Sequence, residues 1–318
     1  MSGWDLDDIP SQEGRTWAVT GANSGLGLVT ARELARAGAR VILGCRDPRR
    51  GEAALADVQS AASGPEPRLN RLDLADLGSV RDFASVVSES SGTLDGLVNN
   101  AGVMAPPREE TADGFELQLG TNHLGHFALT GLLMDRLMAS TGESRVVTVS
   151  SGAHKIGSMD WDDLQGNDGY SRWRRYGQSK LANLLFAYEL QRRSDANDWD
   201  VRSVAAHPGY ASTHLQSSGP GIGGGISSLL NVTVMKVTNL VFAQSDEMGA
   251  LPSLYAATVP DMPAGGFVGP SGPGEMRGHP KLVDSTRASR SEADAKRLWE
   301  ISEELTGVAY PASSPVST

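Results

Sequence analysis

Tyr176 and Lys180 are the two residues of this chain whose types and spacing most directly suggest proton transfer. They are four residues apart, so on a helix they share one face. A phenol with a pKa of about 10 transfers protons slowly at neutral pH, but a neighbouring ammonium stabilises the phenolate and lowers that pKa. The pair could thus serve as a general acid or base. A Y-x-x-x-K spacing also arises by chance in many helices, so alone it does not establish a site.

The stretch "TGANSGLG", Thr20–Gly27, offers a second kind of chemistry. It follows an apolar run and precedes a helical pattern, and its glycines stand at spacings of four and two. Glycine permits unusual backbone angles and lets an anion approach the backbone amides and the start of a helix. A phosphate-binding loop is one interpretation, and a simple tight turn is the alternative.

The elements that would position these residues alternate along the chain. Short Val-, Leu- and Ile-rich runs predict buried strands, and amphipathic segments between them predict helices. The predicted strands are "RTWAVTGA", "ARVILGC", "RLNRLDL", "LDGLVNNAG", "SRVVTVSS" and "VRSVAAHPG", and the predicted helices cover roughly 25–38, 49–62, 77–90, 113–140 and 172–195. In the last of these, Leu181, Leu184, Leu185 and Tyr188 form one apolar stripe. The alternation predicts an α/β fold with a doubly wound, mostly parallel Rossmann sheet and helices on both faces.

One domain over 13–310 is expected, with disordered tails at 1–12 and 311–318. Residues 216–245 differ in composition, because a Gly- and Ser-rich part leads into the apolar "LLNVTVMKVTNLVF". We interpret this segment as a substrate loop or lid with flexible glycine hinges. A packed surface helix and an oligomer contact are the alternatives.

Composition excludes several classes of function. The 318-residue chain has a formal net charge of −10, which argues against general nucleic-acid binding. The single cysteine, Cys45, cannot form an internal disulfide, which is typical of a reducing cytoplasm. The acidic N-terminus lacks signal-peptide features, and no run of 18 apolar residues predicts a transmembrane anchor. A cytoplasmic location is expected.

Seven motifs occur in one order over about residues 15–215: "TGANSGLG", "DL" (73–74), "NNAG" (99–102), "TNHLGHF" (121–127), "VSS" (149–151), "YGQSK" (176–180) and "HPGYAST" (207–213). With them the chain resembles the classical short-chain dehydrogenase/reductase family. The segments "SRVVTVSSGAHKIG", "YGQSKLANLLFAYEL" and "GGFVGPSG" are most similar to its retinol-dehydrogenase-like branch. The 25-residue gap from Ser151 to Tyr176 matches that branch, in which the inserted loop can shape the substrate pocket.

The resemblance implies a nicotinamide dinucleotide cofactor and assigns it residues. The phosphates and adenosine would be lined by Gly21, Asn23, Ser24, Gly25, Leu26 and Gly27. The adenine would meet Asp73 and Leu74, and the ribose would be supported by Asn100, Ala101 and Gly102. The nicotinamide would lie beside Pro208, Gly209 and Thr213, and its ribose would contact Tyr176 and Lys180.

The choice between NADP(H) and NAD(H) depends on the end of the second predicted strand. Cys45 stands where NAD-preferring relatives place an aspartate, and Arg46 follows it. An arginine there can accommodate a 2′-phosphate, which favours NADP(H) over NAD(H). The alternative is a surface arginine that pairs with Asp47.

The resemblance also implies the catalytic set Asn122, Ser151, Tyr176 and Lys180. Ser151 would bond the substrate oxygen, Tyr176 would be the general acid or base, and Asn122 would hold a water that relays protons to Lys180. Ser150 competes with Ser151, and Ser151 is preferred because the family's serine is the second of the pair.

No metal site is expected. His123 and His126 lack an obvious third ligand and are interpreted as ordinary helix residues, and Cys45 as a strand-end packing residue. The sequence therefore predicts an NADP(H)-dependent oxidoreductase acting on a lipophilic carbonyl/alcohol pair. Its partner would be a small-molecule substrate, and it would act as a monomer or as a homo-oligomer. The alternative is a non-catalytic nucleotide-binding regulator or scaffold with the same fold.

Overall fold

The computed structural model describes residues 3–209 and 245–311, and within them eight strands form one sheet. The strands are β1 (Thr16–Thr20), β2 (Arg40–Cys45), β3 (Arg68–Arg71), β4 (Gly96–Asn99), β5 (Ser144–Val149), β6 (Val201–Ala206), β7 (Phe267–Pro270) and β8 (Pro280–Leu282). The helices are α1 (Gly25–Arg36), α2 (Pro48–Ala61), α3 (Leu77–Ser90), α4 (Leu117–Leu119), α5 (Gly125–Leu132), α6 (Met134–Met138), α7 (Arg172–Ala196), α8 (Asp246–Thr258) and α9 (Glu292–Thr306).

The sheet is doubly wound, as the sequence predicts. Its strand order is β3-β2-β1-β4-β5-β6-β7-β8, and the direction of winding reverses between β1 and β4. All neighbouring strands are parallel except β7 and β8, which form an antiparallel edge. In such a sheet ligands bind beyond the carboxyl ends of the strands at the switch point. The predicted fold class is confirmed.

Helices cover both faces, because each central strand is apolar on two sides. In β1, Trp17 and Val19 face a core shared with α1, α2 and α8, whereas Ala18 faces a second core with α3, α5, α7 and α9. This alternation is the two-residue period of a strand. The sheet is thereby buried on both faces, and the polar residues of the predicted site lie at the ends of its strands.

The N-terminal segment, expected to be disordered, is ordered from Gly3 onward. Asp5 caps a short 3-10 helix, Leu6–Asp8, and the Trp4 ring packs edge-on against Tyr255 at 5.2 Å between centroids. Gln12 is buried and accepts a hydrogen bond from the Trp17 indole at 3.2 Å. The disorder prediction was wrong for this segment, because its apolar residues Trp4, Leu6 and Ile9 pack against the core.

Two predicted helices differ in detail. The single helix expected over 113–140 is divided into α4, a π-helical turn at Gly120–Leu124, α5 and α6. Helix α7 confirms the predicted 172–195 segment, but it is buried on several sides and not along one stripe. Leu181 and Leu185 pack in one cluster, and Leu184 and Tyr188 in another. The expected lid, 216–245, lies outside the described residues except at its last position, Ser245, which caps α8.

Candidate active site

The expected catalytic residues come together at the carboxyl edge of β5. Ser151 follows this strand and opens a 3-10 helix, Gly152–Ile156, and its side chain lies close enough to Tyr176 on α7 to influence the pKa of the tyrosine. The 3-10 helix packs closely on α7, since a Cβ at Gly157 would lie 2.3 Å from the Gly177 carbonyl oxygen. Glycine at both contact positions therefore lets the serine reach the tyrosine.

Ser150 has a different environment. Its hydroxyl donates to the Lys180 carbonyl at 2.8 Å and is buried. This bond ties the end of β5 to the backbone of α7. Of the two serines, Ser151 is the one in contact with the Tyr176 hydroxyl.

Lys180 lies one helical turn after Tyr176 and is buried. Its ammonium donates to the Val149 carbonyl at 3.1 Å and lies 5.9 Å from the Tyr176 ring centroid. Burial lowers the Lys180 pKa to about 8. The lysine can therefore exchange its proton close to neutral pH.

The pKa of Tyr176 differs from the sequence expectation. Burial raises it, and the interaction with the Ser151 side chain opposes that rise in part. The lowering that the sequence predicts is wrong for this structure, because burial of the phenol is the largest influence on the pKa of Tyr176. Tyr176 is thus protonated at neutral pH and ready to donate.

Asn122 lies in the π-helical turn between α4 and α5, and its side chain joins two elements. Its amide oxygen accepts from the Val103 N–H at 2.7 Å, and its Nδ2 donates to the Val103 carbonyl at 3.0 Å. The same Nδ2 donates to the Ser179 hydroxyl at 2.9 Å. Asn122 therefore fixes the loop after β4 against α7, and its side chain is fully occupied by protein groups.

The glycine loop is shaped by close backbone packing. Gly21 and Gly25 have φ values of +66° and +54°, which favour glycine. A Cβ at Gly27 would lie 2.4 Å from the Gly21 carbonyl oxygen and 2.5 Å from Nδ2 of Asn100. That Asn100 amide donates to the Thr20 carbonyl at 2.8 Å. The glycines thus let the ends of β1 and β4 meet.

The start of α1 fits a phosphate. Ser24 is its N-cap, and no side-chain hydrogen bond caps the helix there. By contrast, Asp47 and Asp76 each accept from two backbone amides at the starts of α2 and α3. First-turn amides that lack a protein cap can bind an anion, and the helix dipole favours it. Asn23 and Leu26 lie in this loop and turn, with Leu26 buried.

Thr20 is a site residue that the sequence reasoning missed. Its hydroxyl accepts from the amides of Asn100 and Ala101 at 2.9 and 3.0 Å, and it contacts Nε2 of His126 at 2.9 Å. The threonine thereby holds the "NNAG" turn against the glycine loop. Its place as the first residue of "TGANSGLG" was the available signal.

Arg46 lies exposed just after β2, and Asp47 does not pair with it among the described residues. Instead the Asp47 carboxylate accepts from the amides of Arg49 and Arg50 at 2.9 and 3.3 Å. These two arginines lie in the first turn of α2, so three arginines fall within the five positions after β2. Cys45 beside them is buried, and burial raises its thiol pKa to about 12, consistent with a packing residue.

The remaining expected cofactor residues lie along the same edge of the sheet. Asp73 accepts from the Ala75 amide at 3.1 Å, and Leu74 is buried, with its carbonyl 2.5 Å from a Cβ built at Gly125. Gly102 approaches the centre of the site, since a Cβ there would be 3.5 Å from the Lys180 ammonium. Pro208 and Gly209 follow β6, and Thr213 lies outside the described residues.

The inserted loop before Tyr176 is anchored by the residue next to the tyrosine. The buried Arg175 guanidinium pairs with Asp163 at 3.0 Å and Asp160 at 3.3 Å, and it also donates to the Asp163 carbonyl. Removal of one partner from a buried ion pair is costly, so this loop and the start of α7 are positioned together.

Within residues 3–209 and 245–311, no three His, Cys, Asp or Glu side chains are grouped so that they could hold a metal ion. None of the helices described there has the length and apolarity to cross a bilayer.

Comparison with known proteins identifies relatives over nearly the whole chain. The family model "short chain dehydrogenase" matches residues 15–220. Retinol dehydrogenase 14 of Homo sapiens is 40% identical over 313 residues, which cover 93% of this chain and 87% of the relative. Polyprenol dehydrogenase of Mus musculus is also 40% identical, over 97% of this chain and 89% of its own. A crystal structure of an uncharacterized protein from Mycobacterium paratuberculosis is 44% identical, with a TM-score of 0.79 over 98% of this chain and 100% of that one.

Proposed function

This chain belongs to the short-chain dehydrogenase family, and from that premise we propose that it is an NADP(H)-dependent oxidoreductase that interconverts a lipophilic carbonyl compound and its alcohol. Its similarity to retinol dehydrogenases supports an oxidoreductase activity. The observation that carries the mechanism is the grouping of Ser151, Tyr176 and Lys180: the serine side chain interacts with the tyrosine, and the Lys180 ammonium lies 5.9 Å from the tyrosine ring.

A bound nicotinamide supplies hydride to the carbonyl carbon in reduction and takes it from the alcohol carbon in oxidation. Ser151 and Tyr176 bind the substrate oxygen from the protein side. In reduction the Tyr176 hydroxyl gives its proton to that oxygen as the C–H bond forms, and the phenolate that remains is stabilised by the Lys180 ammonium. In oxidation the same proton returns to the phenolate. Burial raises the pKa of Tyr176, so the resting tyrosine is the proton donor for the reductive direction.

The proton lost from Tyr176 is restored through Lys180. Because the Asn122 side chain is occupied by Val103 and Ser179, a relaying water would be held by the Asn122 backbone carbonyl. The pKa of Lys180, lowered to about 8 by burial, suits a group that both gives and receives a proton near neutral pH.

The preference for NADP(H) rests on charge at the end of β2. Arg46 is exposed there, and Arg49 and Arg50 open the next helix, whereas Asp47 is committed to capping that helix. A 2′-phosphate carries negative charge that guanidinium groups bind with charge-assisted hydrogen bonds. An unmodified 2′-hydroxyl would instead favour a carboxylate acceptor, and the buried Cys45 cannot supply one.

A lipophilic substrate is supported by two apolar side chains beside the Ser151–Tyr176 pair. Trp173 is 54% exposed and packs edge-on against the Tyr176 ring at 6.0 Å, and Ile156 is 70% exposed at the end of the 3-10 helix that Ser151 opens. Exposed apolar side chains of this size next to a reactive group favour contact with an apolar ligand. The names of the relatives, retinol dehydrogenase and polyprenol dehydrogenase, denote enzymes of lipophilic alcohols.

The test is oxidation of NADPH by the purified protein with a series of straight-chain aldehydes and with retinal. We expect turnover, with kcat/KM rising about two- to fourfold for each added methylene that the pocket buries. A nucleotide-binding regulator would bind NADPH without oxidising it in the presence of any of these carbonyl compounds. Binding without turnover over the whole series would overturn the proposal.

A further inference from the structure

His126 is a buried histidine that the mechanism above does not use. It lies on α5, four residues after Asn122, and its ring contacts two other elements of the site. Nδ1 lies 3.0 Å from the Asn122 backbone carbonyl, and Nε2 lies 2.9 Å from the Thr20 hydroxyl. The ring thus spans from the π-helical turn to the end of β1.

The hydrogen-bond network fixes which ring nitrogen carries the proton. A carbonyl oxygen can only accept, so Nδ1 must donate to Asn122. Nε2 is then the acceptor. The Thr20 hydroxyl lies 3.3 Å from the Val98 carbonyl oxygen and 2.9 Å from Nε2, and it donates to the nearer nitrogen. With the amides of Asn100 and Ala101 as donors to the same hydroxyl, Thr20 uses its donor and both of its lone pairs.

The electrostatics agree with this single neutral tautomer. Burial, with a smaller contribution from the positive charge of Lys180, lowers the His126 pKa to about 4. A charged ring would have to donate from both nitrogens and would break the bond from Thr20. His126 is therefore held neutral, with one donor and one acceptor pointed at different halves of the site.

We propose that His126 is a positioning residue for the reaction, one that fixes the cofactor loop through Thr20 and the proton relay through the carbonyl of Asn122. The inference rests on the proposed function, because it assigns each half of the ring to one part of that reaction. The bond to Thr20 fixes the threonine hydroxyl that holds the "NNAG" turn in place, and it thereby affects cofactor affinity. The Asn122 bond sets the direction of the Asn122 carbonyl and affects proton transfer.

The two hydrogen bonds of the His126 ring can be removed one at a time by substituting an amide side chain. In His126→Asn the amide nitrogen can take the position of Nδ1, so the bond to Asn122 is kept and the bond to Thr20 is lost. In His126→Gln the longer amide can reach the position of Nε2, so its oxygen keeps the bond from Thr20 and the Asn122 bond is lost. The proposal predicts opposite kinetic defects in these two variants.

We expect His126→Asn to weaken NADPH binding by up to about tenfold, the factor that one hydrogen bond contributes, with kcat at saturating NADPH unchanged. His126→Gln should bind NADPH normally and lose about tenfold in kcat. NADPH affinity is measured by fluorescence titration and kcat by NADPH oxidation. If both variants change the same constant in parallel, His126 is a packing residue and the proposal is overturned.

His123 is the matched control. It is also buried on this segment and contacts Ser302 of α9 at 2.9 Å, away from the cofactor loop. His123→Asn should lower the melting temperature and leave NADPH affinity and kcat unchanged. A purely structural effect at position 126 would resemble this control.

Two outcomes need a second route. If the histidine variants do not fold, the same bond is tested from its other end: Thr20→Val removes the donor to Nε2, and Thr20→Ser retains it. We expect weaker NADPH binding only in the valine variant. Equal binding in both variants would overturn the proposal. If the wild-type protein does not oxidise NADPH in the presence of any of the carbonyl compounds, the proposed function fails. The affinity comparison between His126→Asn and His126→Gln still decides the Thr20 half of this inference.

Discussion

The Lys180 ammonium and the Asn183 side-chain amide share one acceptor, the carbonyl oxygen of Val149, at 3.1 and 3.0 Å. The end of β5 is thereby tied to α7 by two donors, one charged and one neutral. Because Asn183 alone keeps this carbonyl satisfied, the charge on Lys180 is not needed to hold the strand in place. The buried ammonium is instead a cost to folding, and this has a measurable pH dependence.

Lys180→Met should stabilise the protein at neutral pH. Burial lowers the Lys180 pKa from 10.5 to about 8, so the unfolded chain binds this proton more tightly than the folded chain. The free energy of unfolding of the wild type therefore rises with pH between about 8 and 10.5, whereas the variant lacks this rise. We expect the variant to be more stable by up to about 3 kcal/mol at pH 7, and the gain to vanish towards pH 10.5.

Urea unfolding of the cofactor-free protein at pH 7 and pH 10 measures this difference. Lys281→Met removes an exposed ammonium and should change stability by less than about 0.5 kcal/mol at both pH values. A Lys180→Met protein that is less stable than the wild type at pH 7 would contradict the burial effect. Its carbonyl reductase activity should be strongly reduced at either pH.

Tyr176→Phe should keep NADPH affinity and lower turnover by about 10²- to 10⁴-fold, since it removes the proton donor and one hydroxyl only. The control is Tyr188→Phe on the same helix, where the hydroxyl bonds Ser285 at 2.8 Å. That change should leave turnover intact. Near-native NADPH oxidation by Tyr176→Phe would refute the assignment of the general acid.

Arg46→Asp should shift cofactor preference towards NADH. The change replaces a donor that suits a phosphate with a carboxylate that repels it, and a charge-assisted hydrogen bond contributes about tenfold or more in affinity. The ratio of NADPH to NADH dissociation constants is the readout. Asp47→Asn retains an N-cap side chain on α2 and should leave this ratio unchanged. An unaltered ratio in Arg46→Asp would show that Arg46 points away from the ribose.

Gly27→Ala should destabilise the protein by about 1–3 kcal/mol or more, because the new methyl meets a backbone carbonyl and a hydrogen-bonded amide. NADPH binding should weaken with it, since Asn100 would be displaced. Gly142→Ala is the control, because a Cβ there has no atom within 4 Å. Thermal unfolding and NADPH titration of both variants give the comparison, and equal melting temperatures would be inconsistent with the packing at Gly27.

The strand pattern of the first two thirds of the chain could be predicted because every central strand is a short apolar run that is followed by a polar or glycine residue. Strands β7 and β8 and helices α8 and α9 were not predicted. β7 is four residues long and ends at Pro270, and α8 contains Pro252 within a nearly uniformly apolar sequence. Neither has the periodicity on which such a prediction depends.

The catalytic residues could be named from spacing and resemblance, whereas their environment could not. The burial that raises the pKa of Tyr176 depends on how α7 packs among three clusters of side chains, and sequence spacing contains no such information. The same holds for His126, which was interpreted as an ordinary helix residue. Its partner Thr20 is 106 positions away, and only the fold brings the two together.

The saturated hydroxyl of Thr20 has a consequence for the thermodynamics of cofactor binding. With the turn after β4 already bonded to the end of β1, the backbone that would face the pyrophosphate is ordered before any ligand arrives. The conformational entropy of this loop is lost when the chain folds and not when the dinucleotide binds. Association should therefore show a smaller entropic penalty, as measured by calorimetry, in the wild type than in Thr20→Val, even where the two enthalpies are similar.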